Sequence, residues 1–187
     1  MRFNTVDQLL ESGRLDEVGV VAMCGLPGSG KSYLAKQLAE KWGAEYISSD
    51  EMRLAKFGTT RLDTVGDEVV VSQSRAVMPK MYDRALAWLA EGRRVVVDAT
   101  HLKAERVEQM KRLAEAGVRA VILTVKTPEE KVWEWARKSG KVEESGETRE
   151  EALRRVRGYF EERYRRGEWE WPSRELDGME VWEIWNG

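Results

Sequence analysis

The sequence predicts an α/β fold, a parallel five-stranded sheet with helices on both faces. Three observations predict it. Short strand-like runs alternate with stretches of helical periodicity along the 187 residues. The runs at Val18–Cys24, Arg94–Asp98 and Arg119–Val125 are almost continuously apolar, as strands covered on both faces are. The connections between them are long enough to hold crossover helices, which parallel pairing requires. A chain of this length is sized for one domain, and it contains no internal repeat or low-complexity tract.

The elements follow in order. Residues 4–12 space Val6, Leu9 and Leu10 on one side of a short amphipathic helix. Val18–Cys24 is the first buried strand. From Lys31 to Trp42, Leu34, Ala35, Leu38 and Trp42 share a helix face, and Gly43 ends it in a position suited to left-handed backbone. Ala44–Ser49 is a second strand, and Asp50 opens a helical piece to about Phe57. Gly58–Asp63 is a loop. From about Val65 to Glu91 the pattern is helical, with Val69, Ala76, Met81, Ala85, Leu86 and Leu89 apolar, and Pro79 predicts a kink or break. Arg94–Asp98 is the third strand, Lys103–Glu115 a helix and Arg119–Val125 the fourth strand. Thr127-Pro128-Glu129-Glu130 starts another helix, with proline at its first position, running to about Lys138. A further helix spans Thr148–Arg166. Between these two, Gly140–Glu147 is polar, glycine-punctuated and expected to be mobile. Met179–Trp185 alternates as a strand does.

Composition narrows the function classes. A net charge of −2 and a pI of 5.7 give no global attraction to polyanions, so a nucleic-acid partner would be held by a local basic patch. The lone cysteine, Cys24, excludes an internal disulfide and suits a reducing compartment. Its place in an apolar run points to a buried side chain. With one Cys and one His (His101), zinc is not expected. No run approaches the roughly 20 apolar residues of a membrane span, and MRFNTVDQLLESGRLDE is too charged for a signal peptide. The expected location is cytoplasmic. Scarce Asn and abundant charge resemble thermophile usage.

The chemistry sits at the strand ends. Gly25-Leu26-Pro27-Gly28-Ser29-Gly30-Lys31-Ser32 fits G-x-x-x-x-G-K-[ST] between a strand and a helix. In that pattern glycines turn backbone amides toward phosphate, the lysine reaches the β- and γ-phosphates, and the hydroxyl meets Mg²⁺. Asp98 ends the third strand, where a carboxylate can support the metal. Asp50 and Arg53 lie three apart after the second strand, so a helix would put both on one face at the ligand edge of the sheet. There a carboxylate can accept an attacking hydroxyl's proton and a guanidinium can hold an anionic acceptor. An N-capping Asp50 with an i,i+3 salt bridge explains the same spacing. Arg137, Lys138 and Lys141 fall where a helix passes into the polar segment, with a solvated helix face as the alternative reading. No N-K-x-D guanine signature occurs.

These pieces, in this order, resemble the polynucleotide 5′-hydroxyl kinases of phage and bacterial end healing. GLPGSGKS is similar to that family's phosphate loop, and Asp50-x-x-Arg53 to its D-x-x-R. Asp98-Ala99-Thr100-His101 resembles its D-[AT]-[TN]-N turn, with His101 where Asn is usual. Arg137-Lys-Ser-Gly-Lys141 is similar to its R-x-x-x-R lid, with lysine in place of the second arginine. Pro172-Ser173-Arg174-Glu175 also looks similar, so the likeness spans roughly residues 18–185.

The resemblance implies one P-loop kinase domain over residues 1–187 with a helical lid at about 128–167, using ATP and Mg²⁺. It implies nucleotide contacts from Gly25, Leu26, Pro27, Gly28, Ser29, Gly30, Lys31, Ser32, Tyr33 and Arg137, with metal support from Ser32 and Asp98. Asp50 would be the general base and Arg53 the acceptor-phosphate ligand, while Lys31, Arg137 and Lys141 would clamp the transferred group. The implied acceptor is the 5′-OH end of DNA or RNA. Two other readings stay open: a kinase of a small hydroxyl metabolite, and an ATP-binding module without acceptor turnover.

Overall fold

A computed structural model describes residues 1–64, 67–101, 104–167, 171–172, 175–176 and 179–187. The first half contains β1 (Arg2–Phe3), α1 (Val6–Glu11), β2 (Val18–Cys24), α2 (Lys31–Trp42), β3 (Glu45–Ser48), α3 (Ser49–Phe57) and α4 (Asp67–Ala90). The second half contains β4 (Val95–Asp98), α5 (Ala104–Ala114), β5 (Arg119–Lys126), α6 (Glu129–Lys138), α7 (Arg149–Arg165), β6 (Glu175–Leu176) and β7 (Met179–Trp185). Val65 and Lys103, where the sequence placed helix starts, and Ser173 and Arg174 lie outside the described residues.

The sheet has the order β1-β7-β5-β2-β4-β3. All neighbours along it pair in parallel, and β6 adds an antiparallel pairing to β7. The parallel sheet therefore has six strands rather than the five expected. The additional strand is β1, whose Arg2 and Phe3 sit beside Glu183 and Ile184. Two residues carry no periodicity to detect.

Side-chain alternation divides the core between the two sheet faces. Val20, Ala22 and Cys24 of β2 join Met81, Tyr82 and Ala85 of α4 and Met110 of α5. Val18, Val21 and Met23 face the other way, against Leu34, Ala35 and Leu38 of α2 and Leu9 of α1. Central strands buried on both faces are why the sequence runs read as continuously apolar. Burial pushes the Cys24 thiol up to about 12 despite the Lys31 charge, so it stays protonated as a core side chain.

Three local expectations change. Helix α4 continues through Pro79 without a break. Pro79 is exposed, so water can reach the backbone its ring disturbs, while buried Val77, Met78, Met81 and Tyr82 hold the flanking turns. Pro128 is the N-cap of α6 rather than its first residue. Segment 140–147 is an organised turn: Val142 bridges Thr148, and Glu143 N donates to Glu147 O at 2.8 Å. Thr148 and Glu151 then form a capping box at the start of α7. This turn docks on the α3–α4 connection. Glu144 N donates to Asp63 Oδ1 at 3.1 Å, and Arg155 donates to Thr64 O and Leu62 O at 2.9 and 2.7 Å. Among the described residues, no helix is long and apolar enough to cross a membrane.

Candidate active site

The glycine loop joins β2 to α2 at the sheet edge where α/β folds bind ligands. Gly28 and Gly30 adopt φ of 79° and 76°, in the left-handed region that glycine enters without steric cost. Gly25 N donates to Thr100 O at 3.3 Å, tying the loop to the turn after β4. Ser29 O accepts from Thr127 Oγ1 at 2.7 Å and from Asn186 Nδ2 at 3.0 Å. The loop is thus pinned from both the β5–α6 connection and the end of β7. A Cβ on Gly30 would lie 2.2 Å from Asn186 Nδ2. Gly30→Ala therefore strains φ by roughly 1–2 kcal/mol and also displaces Asn186. We expect a lower melting temperature and weaker nucleotide binding. In the double variant with Asn186→Ala, the steric part should be relieved and the φ strain should persist. Purely additive losses, measured by thermal melts, would remove the clash from this account.

Lys31, Ser32, Asp50, Arg53 and Asp98 line one cavity of about 200 Å³. Pro27, Gly28, Gly30 and Tyr33 complete the loop side. Asp98, 2% exposed, lies 3.2 Å from Lys31 Nζ through Oδ1, and its Oδ2 accepts from Tyr46 OH at 3.0 Å. Burial pushes the Asp98 carboxyl up. The Lys31 charge and hydrogen bonds from Ser32, Tyr46 and Lys31 outweigh it, so the group stays below the ordinary carboxylate range. Burial and the neighbouring Asp98 push the Tyr46 phenol up, keeping it a donor. Tyr46 gave no sequence signal, because a tyrosine in a short strand reads as core.

Across the cavity, Ser48 caps α3 by accepting from the Asp50 and Glu51 amides. Asp50 is therefore in the first turn rather than the cap, where it also complements the helix dipole. Arg53 Nη1 lies 2.6 Å from Asp50 Oδ1, and Nη2 donates to Ser74 Oγ on α4 at 3.1 Å. The Arg53 side chain is 5% exposed and that of Asp50 48%. Arg53 Nε is buried and makes no hydrogen bond.

The other predicted cations sit elsewhere. Arg137, on a mostly exposed side chain, pairs with Glu150 at 3.4 Å, and Lys141 pairs with Glu143 at 3.1 Å. Neither lines the cavity, whereas Arg61 and Arg149 do. Arg149 left one faint sequence signal: a cation in the first turn of a helix opposes its dipole. His101 is buried at φ 49°, with Nδ1 2.5 Å from Met23 O. Left-handed backbone suits Asn and His alike, so the departure from Asn preserves the turn.

A family model described as an AAA domain matches residues 20–163. The chain belongs to that family. Its α/β fold is that of the P-loop kinases. Among solved structures, it is similar to a candidate kinase from Chloroflexus aurantiacus j-10-fl, with a TM-score of 0.65 at 16% identity, covering 90% of this chain and 88% of that one. A shikimate kinase from Bacteroides thetaiotaomicron gives 0.53 at 17%, covering 89% and 85%. A gluconokinase from Sinorhizobium meliloti 1021 gives 0.51 at 18%, covering 90% and 83%. Such identities show the fold alone. No curated protein matches the chain.

This AAA-domain family implies ATP and Mg²⁺ generally, and the residues present fit both. Gly28, Gly30, Lys31 and Ser32 line the cavity, with the two glycines making the left-handed turns of the loop. Ser32 and Asp98 offer hydroxyl and carboxylate oxygens, the hard donors Mg²⁺ prefers. Among the described residues no group of three metal-ligating side chains converges. A divalent ion there would take most of its shell from phosphate and water, as Mg²⁺ at nucleotide sites commonly does.

Proposed function

We propose that the protein transfers the ATP γ-phosphate to the 5′-hydroxyl end of DNA or RNA. The observation that carries this reading is the Asp50–Arg53 pair facing the same cavity as Lys31, Ser32 and Asp98. A donor side and an acceptor side then share one space. Lys31 and the loop from Gly25 to Tyr33 hold the phosphates. Bound Mg²⁺, held through Ser32 and supported by Asp98, would neutralise charge on the β- and γ-oxygens. Asp50 takes the proton as the acceptor oxygen bonds to phosphorus, while the bond to the bridging oxygen breaks and its electrons leave with ADP. Arg53 presents its unused N–H donors to a phosphate beside the reacting hydroxyl. Residues 128–167 act as the lid of a single 1–187 domain, which works in the cytoplasm.

One observation favours a second reading, a small hydroxyl metabolite as acceptor. Leu62, Val70, Val71 and Phe160 give apolar walls to a cavity of only about 200 Å³. Labelled γ-phosphate offered with 5′-OH oligonucleotides and with a panel of nucleosides and small alcohols separates the two. Label on the oligonucleotides supports the proposal, and label confined to the small panel overturns it. Arg53→Lys tests the acceptor role further. The loss of a charge-assisted donor fork costs about 1.5–3 kcal/mol, so KM for acceptors bearing a 3′-phosphate should rise about 10- to 100-fold. Acceptors without that phosphate should be far less affected. Equal loss on both would remove Arg53 as the phosphate ligand.

A further inference from the structure

We propose that Arg149 is the cation which the α6–α7 segment presents to the phosphoryl group in flight, and that Glu143 and Lys141 hold it in place. The proposal rests on the kinase reading above and names a residue outside the lid motif that the sequence singled out.

Four observations converge on Arg149. Its side chain lines the cavity that also contains Lys31 and Asp98. It begins the stripe of α7 that continues through Leu153, Val156 and Phe160, the face turned to the cavity and core. Leu153 side-chain atoms come within 3.1 Å of where a Gly28 Cβ would stand. One helical turn earlier on the same face therefore falls at the mouth of the phosphate loop. Finally, Arg149 Nη1 lies 2.6 Å from Glu143 Oε1.

Glu143 makes this placement deliberate. Its side chain is fully buried and meets two cations, Arg149 and, at 3.1 Å, Lys141. Asp63 also lies against Glu143, so two cations meet two carboxylates here; an arginine has five N–H donors, and Arg149 keeps donors for an anion after meeting Glu143. The turn bearing Glu143 is itself fixed to the α3–α4 connection through Asp63 and Arg155. A cation at a helix N-terminus runs against the dipole, and the buried carboxylate offsets that cost. Arg137, by contrast, shares Glu150 with Arg154 on the exposed side of the helices. Lys141 acts through Glu143 and is a positioning residue.

Titrations with ADP, and with ADP plus aluminium fluoride and Mg²⁺ as a mimic of the transferring phosphoryl, test the assignment. Arg149→Lys keeps a charge opposite Glu143, so the fold is retained, and ADP affinity serves as the internal control. We expect Arg149→Lys to lose at least about tenfold of the mimic's advantage over ADP, one such factor being 1.4 kcal/mol, with ADP affinity little changed. Arg137→Ala should lose less. Glu143→Gln should lower kcat with KM nearly constant, a split that a merely structural role would not give. A full mimic advantage in Arg149→Lys, or a larger loss in Arg137→Ala, overturns the proposal while the kinase reading stands. No mimic advantage in the unsubstituted protein overturns both.

Discussion

Asp50→Ala should reduce phosphoryl transfer by about 10²–10⁴-fold, the usual worth of a positioned general base, while ATP affinity changes only a few-fold. The separation follows from where Asp50 sits. It belongs to α3, across the cavity from the loop, and Lys31 and Asp98 pair without it. Half of its side chain is exposed, so truncation at Asp50 itself opens no buried cavity. Arg53 is the group at risk, because its 5%-exposed guanidinium loses its carboxylate partner. Asp50→Asn is the better companion variant, since its amide oxygen still accepts from Arg53 but is no base. Both variants should lose transfer at saturating ATP and acceptor alike. Transfer at the unsubstituted rate in Asp50→Asn would remove Asp50 from proton transfer, whatever the fate of Asp50→Ala.

How much of this was legible beforehand depended on the physical signal. The central strands were readable because burial on both faces leaves Val95, Val96 and Val97 no polar alternative. Helix α2 was readable because its apolar stripe and Gly43 agree on its end, with Gly43 left-handed as expected. Strands β1 and β6 were not, since two-residue pairings are set by neighbours rather than by pattern. Val69 looked like core from its residue type yet is exposed, whereas Val70 is buried, because a 24-residue helix with a weakly apolar face fixes its own rotation poorly.

The site divided along the same line. A loop whose spacing is dictated by phosphate geometry carries its chemistry in the local sequence, and so does an i,i+3 pair on one helix. The cations of the α6–α7 segment do not. Motif spacing pointed to Arg137 and Lys141, but which cation enters the cavity is decided by Glu143, the turn at 140–147 and its docking on Asp63. Those are tertiary contacts that no short window contains.

Lys31→Ala should combine a large functional loss with a large change in stability, and pH distinguishes its causes. Transfer should fall by about 10²–10³-fold, as when an electrostatic partner of the developing charge is removed. Stability should fall as well, because Asp98 becomes a buried carboxylate without its counter-charge, a loss of about 3–5 kcal/mol, or about 10 °C in melting temperature for a chain of this size. In the unsubstituted protein the Asp98 pKa is lowered. Its contribution is therefore present above the unfolded value, near 3.9, and is lost as pH falls through the folded one. Burial is the largest influence on this group and acts upward, with Lys31 the foremost charge opposing it. Without Lys31, burial prevails over the hydrogen bonds from Ser32 and Tyr46, and the sign reverses. The raised pKa then favours the folded state at acid pH and penalises it as pH rises. The gap between the two proteins should accordingly be widest near neutrality and should narrow toward about pH 4. Melting curves across that range read it directly. A gap independent of pH would mean that Lys31 stabilises the fold by packing alone and that its charge is not what keeps Asp98 ionised.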